Sequence, residues 1–248
     1  MPAEPALFSD VDSRRFGVRI GRASVAGAAE VAATLDACAS ESIQMLIVRC
    51  RTDDFQALHA LQAPGALLMD TLVYYQRNLR KGAPPVELKA NSIRPVEDRD
   101  LPHIAPVARE TFHGYMGHYH VDSRLDSAKA DDGYVEWATR MCQTPDRTRE
   151  EVLVAEHPAG VLAGFATLRL NDPNEGEGVL FGVHPSAEGR GIYWSFMVRA
   201  MEWCLGRGAG RMVVSTQITN LVVQKVWVRL GFEPIKSYYT LHLWFDAD

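Results

Sequence analysis

The chain has 248 residues, 47% hydrophobic and 23% charged, a balance that excludes disordered and collagen-like classes. Its 26 lysines and arginines are outnumbered by 31 aspartates and glutamates, and a net charge of −5 argues against nucleic acid as a partner. No run approaches the roughly 18 apolar residues of a membrane span, and Met1–Asp10 lacks the basic and apolar segments of a secretory signal, so a cytoplasmic protein without membrane association is expected.

The first 77 residues alternate strand and helix signals. Phe16–Ala23 reads as a short strand and Ala26–Ala39 as an alanine-rich helix, with Val31 and Leu35 four apart. Ile43–Cys50 is a nearly continuous apolar run, as in a buried strand. Asp53 and Asp54 can cap a helix to about Gln62, and Ala66–Gln76 is strand-like, which gives β-α-β-α-β. The polar, proline-rich stretch Asn78–Pro85 is the linker candidate. Nine basic and nine acidic residues lie up to residue 85, so the whole net charge lies beyond it. Two domains are expected, residues 1–85 and 86–248.

Beyond the linker the chain predicts a strand at Val86–Ile93, then a helix from Leu101 to about Phe112, with Asp98 or Asp100 as cap and Pro102 in its first turn. A loop rich in histidine and tyrosine, His113–Asp122, precedes a helix at Asp132–Cys142. Glu151–Glu156 and Gly160–Leu170 read as a hairpin turning at Pro158-Ala159, followed by a strand at Gly178–His184. A long helix to about Leu205 carries Ile192, Phe196, Ala200 and Cys204 on one stripe. A strand at Arg211–Thr216, a helix at Asn220–Leu230 and strands at Phe232 and Tyr238–Phe245 close the series. Cys38, Cys50, Cys142 and Cys204 are widely spaced among apolar neighbours and read as buried free thiols.

The stretch that carries chemistry is Val179–Tyr193, VLFGVHPSAEGRGIY. A strand ends near Pro185, a turn holds Gly189 and Gly191, and a helix starts at once. At such a junction backbone N–H groups lack helical partners and the helix dipole adds positive potential, so the place suits a phosphate. Arg190 can add a charge-assisted contact. The spacing is neither a dinucleotide fingerprint nor a P-loop.

In these residues the chain resembles the GCN5-related N-acetyltransferases, whose diphosphate loop has the form Gln/Arg-x-x-Gly-x-Gly/Ala. Glu188-Gly189-Arg190-Gly191-Ile192-Tyr193 takes that place, with Glu188 and Tyr193 departing from the usual residues. Asn220–Phe232, NLVVQKVWVRLGF, is similar to the family's N-x-x-A-x-x-L-Y-x-x-x-G-F helix. Asn220 matches an asparagine that contacts the cofactor, and Trp227 falls on the tyrosine that often protonates the departing thiolate, a role an indole cannot fill. A narrower likeness, to the TDP-fucosamine N-acetyltransferase type, rests on Asp12-Ser13, Phe16-Gly17, Leu58–Arg77 and Tyr238–Phe245.

The resemblance implies an α/β fold with a mixed sheet, a catalytic domain preceded by a truncated domain of the same kind. It implies acetyl-CoA as donor, released as CoA, and a small-molecule amine as acceptor, here a nucleotide-linked amino sugar attacked directly in a ternary complex. An antibiotic, a polyamine or a protein N-terminus as acceptor stays open, as do a catalytically weak CoA-binding module and a homodimer. Phe181, Gly182, Val183, residues 188–193, Asn220 and Trp227 would hold the cofactor, with a strand N–H near Phe181–Val183 as the oxyanion donor. Glu177, with Glu175 beside it, is the expected base, and Tyr238, Tyr239 or water the expected acid. Tyr115, His118, Tyr119 and His120 would meet the acceptor. The His118/His120 pair has no third ligand in view, so no metal is expected.

Overall fold

The computed structural model describes residues 7–82, 85–86, 92–143, 146, 148–156 and 162–245. Six elements come first: α1 (Asp10–Phe16), β1 (Ile20–Val25), α2 (Gly27–Ser40), β2 (Met45–Arg51), α3 (Phe55–Gln62) and β3 (Leu67–Asn78). Next are β4 (Ile93–Pro95), a 3-10 turn (Asp98–Asp100), α4 (Leu101–Phe112), α5 (His118–Val121), α6 (Ser127–Gln143), β5 (Glu150–Glu156) and β6 (Leu162–Asp172). β7 (Glu175–Val183), a 3-10 turn (Pro185–Ala187), α7 (Ile192–Gly206), β8 (Arg211–Gln217), α8 (Leu221–Arg229) and β9 (Glu233–Trp244) complete the series.

Among the described residues the nine strands form one mixed sheet in the order β1-β2-β9-β3-β8-β7-β6-β5-β4. β1/β2 and β7/β8 are parallel and the other pairs antiparallel. β9 lies between β2 and β3, pairing Met45↔Trp244 on one side and Leu67↔His242 on the other. The sheet is therefore continuous across residue 85.

Side chains alternate between the faces of a strand. On one face of β1-β2-β9, Leu46, Val48, Cys50, Leu241 and Leu243 bury against Val31 and Cys38 of α2 and Ala57 and Leu61 of α3. The alternation turns Ile47, Arg49, Thr240 and His242 to the opposite face. There Phe16, Ile20, Met45 and Ile47 pack with Tyr119 and Ala130. The apolar stripe of α7 buries Phe196, Met197, Ala200, Met201 and Cys204 in a cluster with Trp227, Leu230 and Phe232. Full burial of a side chain such as Phe196 contributes about 1.5–3 kcal/mol. All four cysteines are buried and free, and burial pushes their thiols up to about 11 (Cys38, Cys50) or about 12 (Cys142, Cys204).

Several boundaries differ from the expectation. Phe16 ends a helix instead of opening a strand: Ser9 caps α1 by accepting from the Asp12 N–H, and Gly17 closes it in the left-handed conformation at φ 71°. Within the His113–Asp122 loop, residues 118–121 form a helical turn. α6 begins at Ser127, five residues before Asp132. The two closing strands are one continuous β9. The turn at Pro158-Ala159 and residues 87–91 of the Val86–Ile93 strand lie outside the described residues.

Candidate active site

The site begins where β7 and β8 part. Their parallel pairing runs from Glu175↔Arg211 to Gly178↔Val214 and ends there. A register shift between Thr167↔Leu180 and Leu168↔Gly178 makes Val179 an extra residue in β7. Such a bulge bends a strand and increases its local twist. β7 then continues beside β6 while β8 continues beside β3. The Leu180 N–H donates to Thr167 Oγ1 (3.1 Å) and the His184 N–H to the Ala163 carbonyl (2.8 Å), both on the β6 side. By alternation the peptide groups of Phe181 and Val183 face the gap. At Gly182 a Cβ would come within 2.8 Å of the Phe165 ring, so only glycine fits there.

From Val183 the chain turns through Pro185–Ala187 to Glu188, which is extended and exposed. Gly189 (φ +70°) and Gly191 (φ +81°) are both left-handed, and Gly191 is the N-cap of α7. No atom lies within 4 Å of where a Cβ on Gly189 would be, so the amides opening α7 are approachable from outside.

Two of the three departures from the expected motifs, Tyr193 and Trp227, meet each other. Trp227 Nε1 donates to Tyr193 Oη at 2.9 Å. Trp227 is 2% exposed, and burial pushes the Tyr193 hydroxyl well above the usual phenol range despite that hydrogen bond. The Tyr193 ring stands edge-on to Phe181, with centroids 5.6 Å apart. Asn220 caps α8: its side chain accepts from the Val223 N–H (3.4 Å) and donates to Thr216 Oγ1 (3.1 Å).

The gap opens into a cleft of about 860 Å³. Tyr193, Asn220, Trp227, Phe181 and Glu177 line one part of it, and Tyr115, His118, Tyr119, Arg49 and Asp70 another. Glu177 Oε2 accepts from Arg169 at 2.6 Å, and Glu175, which does not line the cleft, is paired with Arg211 at 2.7 Å. His120 is also absent from the lining: its Nδ1 accepts from the Gly117 N–H and its Nε2 contacts Asp131 at 2.9 Å. Tyr238 packs edge-on against Tyr74, which lines the cleft, but does not itself line it. Tyr239 points to the other face of the sheet, into the cluster under α2 and α3. The structure thus brings Glu177, Phe181, Tyr193, Asn220, Trp227, Tyr115, His118 and Tyr119 to one cleft, and leaves Gly182, Val183, residues 188–192, His120, Tyr238 and Tyr239 out of its lining.

Behind His118 lies a relay that the sequence did not reveal. His118 Nδ1 is 2.8 Å from His242 Nε2, and His242 Nδ1 is 2.7 Å from Asp122 Oδ2. Trp244 Nε1 donates to the same oxygen at 2.9 Å. Burial opposes ionisation of Asp122, but hydrogen bonds from His242 and Trp244 hold it below the usual carboxylate range. Burial depresses both imidazoles and keeps them neutral. With the carboxylate fixing the proton on His242 Nδ1, its Nε2 accepts from His118 Nδ1–H, so His118 Nε2 carries a lone pair. Next to it, Asp12 takes hydrogen bonds from Ser9 (2.6 Å), Tyr119 (2.6 Å) and Arg22, which outweigh burial and hold its carboxyl well below the usual range.

Residues 110–232 match the model of the acetyltransferase (GNAT) family. The spore coat polysaccharide biosynthesis protein SpsD of Bacillus subtilis (strain 168) is 23% identical over 209 residues, 82% of this chain and 68% of that one. Among solved structures, a GCN5-related N-acetyltransferase from Sphaerobacter thermophilus is similar with a TM-score of 0.59 at 15% identity over 81% of this chain. The match spans 60% of the length of that protein. A tandem GNAT protein from the clavulanic acid biosynthesis pathway is similar with a TM-score of 0.61 at 16% identity, over 89% of this chain and 70% of that one. The structural likenesses establish the fold.

Proposed function

From the match of residues 110–232 to the model of the acetyltransferase (GNAT) family, we propose that this protein transfers an acetyl group from acetyl-CoA to the primary amine of a nucleotide-linked amino sugar, by direct attack in a ternary complex. The observation that carries the reading is the gap between β7 and β8 beside the glycine turn that opens α7, with Gly178–Phe181 at the gap and Tyr193 of the first turn of α7 lining one cleft. The sugar as acceptor is supported by the relative named for polysaccharide biosynthesis. The tandem neighbour supports reading residues 1–85 as a partial unit of the same kind in front of a catalytic domain at 86–248.

Bound acetyl-CoA supplies a thioester, whose C–S bond breaks as the C–N bond to the acceptor forms. The amides at the start of α7 hold its diphosphate, with Gly189 and Gly191 keeping side chains out of the way. The peptide groups of Phe181 and Val183 pair with the pantetheine arm as with an added strand. One of their N–H groups donates to the carbonyl oxygen as charge develops there, a contribution of about 2.7–4 kcal/mol in comparable sites. An amine with a pKa of roughly 8 needs only a weak base. Glu177 takes its proton, directly or through one water. Tyr193 accepts the indole N–H at Oη and keeps its own proton for a hydrogen bond in the cleft. Burial raises its pKa, so it stabilises a thiolate by donating a hydrogen bond rather than by ionising. A thiol of pKa about 8.5 departs without full protonation.

Calorimetric titration with acetyl-CoA, followed by thiol release with TDP-linked 4-amino-4,6-dideoxy sugars, tests the reading. Saturable heat and one CoA released per amide formed are expected. No heat would overturn the reading, and binding without turnover on any amine would make the protein a CoA-binding module.

A further inference from the structure

Two charges of opposite sign line the cleft without forming an ion pair with each other. Arg49 of β2 and Asp70 of β3 are both paired with Thr240 of β9, so the three residues form one row across the sheet. All three are on the face away from α2 and α3, and Arg49 and Asp70 line the cleft. Neighbouring strands are roughly 4.8 Å apart, so the two backbones are separated by about 10 Å. Among the described residues no carboxylate lies within 4.0 Å of the Arg49 guanidinium; its Nε donates to Thr240 Oγ1 at 3.3 Å. Asp70 has no cation within that distance either and is held by the Thr71 N–H (2.6 Å) and the Gln217 side chain. Of the other charges lining the cleft, Arg22 pairs with Asp12, Arg15 with Glu136 and Glu177 with Arg169.

A charged side chain inside a cleft is costly unless it is paired. Here burial pushes Asp70 above the usual carboxylate range and Arg49 below its usual value. Arg22 also repels Arg49, so the second arginine does not relieve the first. The two groups act on each other only through space and form no ion pair across Thr240, and a ligand that brings the complementary charges satisfies both groups.

Strand order gives the ligand a direction. From β2 the sheet runs through β9, β3 and β8 to the gap in front of β7. Asp70 lies on the strand that borders β8, two residues from the Leu72↔Gln217 pair at the mouth of the gap. Arg49 lies two strands farther away.

We propose that Arg49 and Asp70 form a dipolar acceptor subsite: Asp70 receives the amine to be acetylated, beside the gap, and Arg49 receives a phosphate or carboxylate of the same molecule. This deepens the acetyltransferase reading and rests on it. A planar guanidinium binds either anion through two parallel hydrogen bonds. Cationic acceptors such as polyamines are rejected by Arg49.

The test measures binding to the full chain with the coenzyme site saturated by CoA. Probes are thymidine diphosphate, glucosamine 1-phosphate, L-glutamate and uncharged D-glucosamine, titrated into wild type, Arg49→Met and Asp70→Asn. Wild type is expected to bind at least one anionic amine tenfold or more tighter than glucosamine. Preference for glucosamine 1-phosphate identifies a phosphate, and preference for glutamate a carboxylate. Arg49→Met removes the preference, Arg49→Lys restores part of it, and Asp70→Asn weakens the amines while leaving thymidine diphosphate unchanged. The subsite is overturned if wild type does not discriminate, or if Arg49→Met keeps the preference with an unaltered melting temperature. Failure of CoA itself to bind overturns the acetyltransferase reading instead, and the same anion titrations on the free chain then judge the subsite alone.

Discussion

Replacing Tyr193 with phenylalanine removes one oxygen and separates two consequences. The Trp227 indole N–H loses its acceptor at a position 2% exposed to solvent. An unsatisfied buried donor costs about 1–3 kcal/mol, a large share of the roughly 5–15 kcal/mol that stabilises a native protein. In a chain of this size each kcal/mol lowers the melting temperature by roughly 2–4 °C. The same oxygen is the proposed hydrogen-bond donor to the leaving sulfur. Its loss from a charged partner, worth about 1.5–3 kcal/mol, predicts a fall in kcat of about 10- to 150-fold. The double variant Tyr193→Phe/Trp227→Phe leaves no unpaired donor, so its stability loss comes instead from the cavity left by the smaller ring at position 227. Urea unfolding and thiol-release kinetics on the wild type, both single variants and the double variant complete the set. A loss of stability smaller than the sum of the two single losses is expected in the double variant, while kcat stays low. Full activity in Tyr193→Phe, or recovery of activity in the double variant, would refute the catalytic role of the hydroxyl.

Other expectations follow from the same site. Gly191→Val forces a β-branched residue into a left-handed N-cap, costs about 1–3 kcal/mol of stability, and weakens CoA binding by calorimetry more than tenfold. Glu177→Gln lowers kcat by about 10²–10⁴-fold in thiol-release kinetics; unchanged kinetics would exclude it as the base. Trp227→Tyr raises turnover by less than tenfold, since Tyr193 already presents a hydroxyl, and a gain of several-hundredfold would mean that an acid is missing. His118 and His242 are depressed below 6.5 by burial. The unfolded chain therefore binds their protons first, so stability is fully present above about pH 6.5 and declines as pH falls below it. Asp122, held low in the fold, adds a further loss in more acid solution. Urea midpoints at pH 7.5 and 5.5 check this, and a flat profile would remove the relay as a contributor.

Local signals made most strands, the helix from Ile192 and the glycine turn readable from sequence alone, because hydrophobic period and left-handed glycines act over a few residues. Gly191 and the burial of Phe196 and Ala200 are cases of this kind. What escaped depends on side chains far apart in the chain. Nothing near Trp227 predicts that its N–H will find the hydroxyl of Tyr193, 34 residues away, nor that His242 will lie between His118 and Asp122. Tyr238 and Tyr239 were drawn to the site by residue type, whereas strand pairing decides which face each takes. One signal was present and unread: Arg49 interrupts the apolar run IQMLIVRC, and Asp70 interrupts ALLMDTLVYYQ. A charge within a buried strand marks a polar cavity or a partner. The cap at Ser9 and the glycine at 17 were likewise legible as the two ends of α1.

The insertion of β9 between β2 and β3 makes assembly of the acceptor wall a late event. Met45 must wait for Trp244, almost two hundred residues downstream, before either finds its neighbour. Until that ribbon arrives, β2 and β3 present open edges, and neither Thr240 nor His242 is in position. During synthesis the amino-terminal segment therefore leaves the ribosome as an unfinished surface that can recruit foreign strands. Released chains ending before residue 233 should be sensitive to protease, and the released full chain resistant.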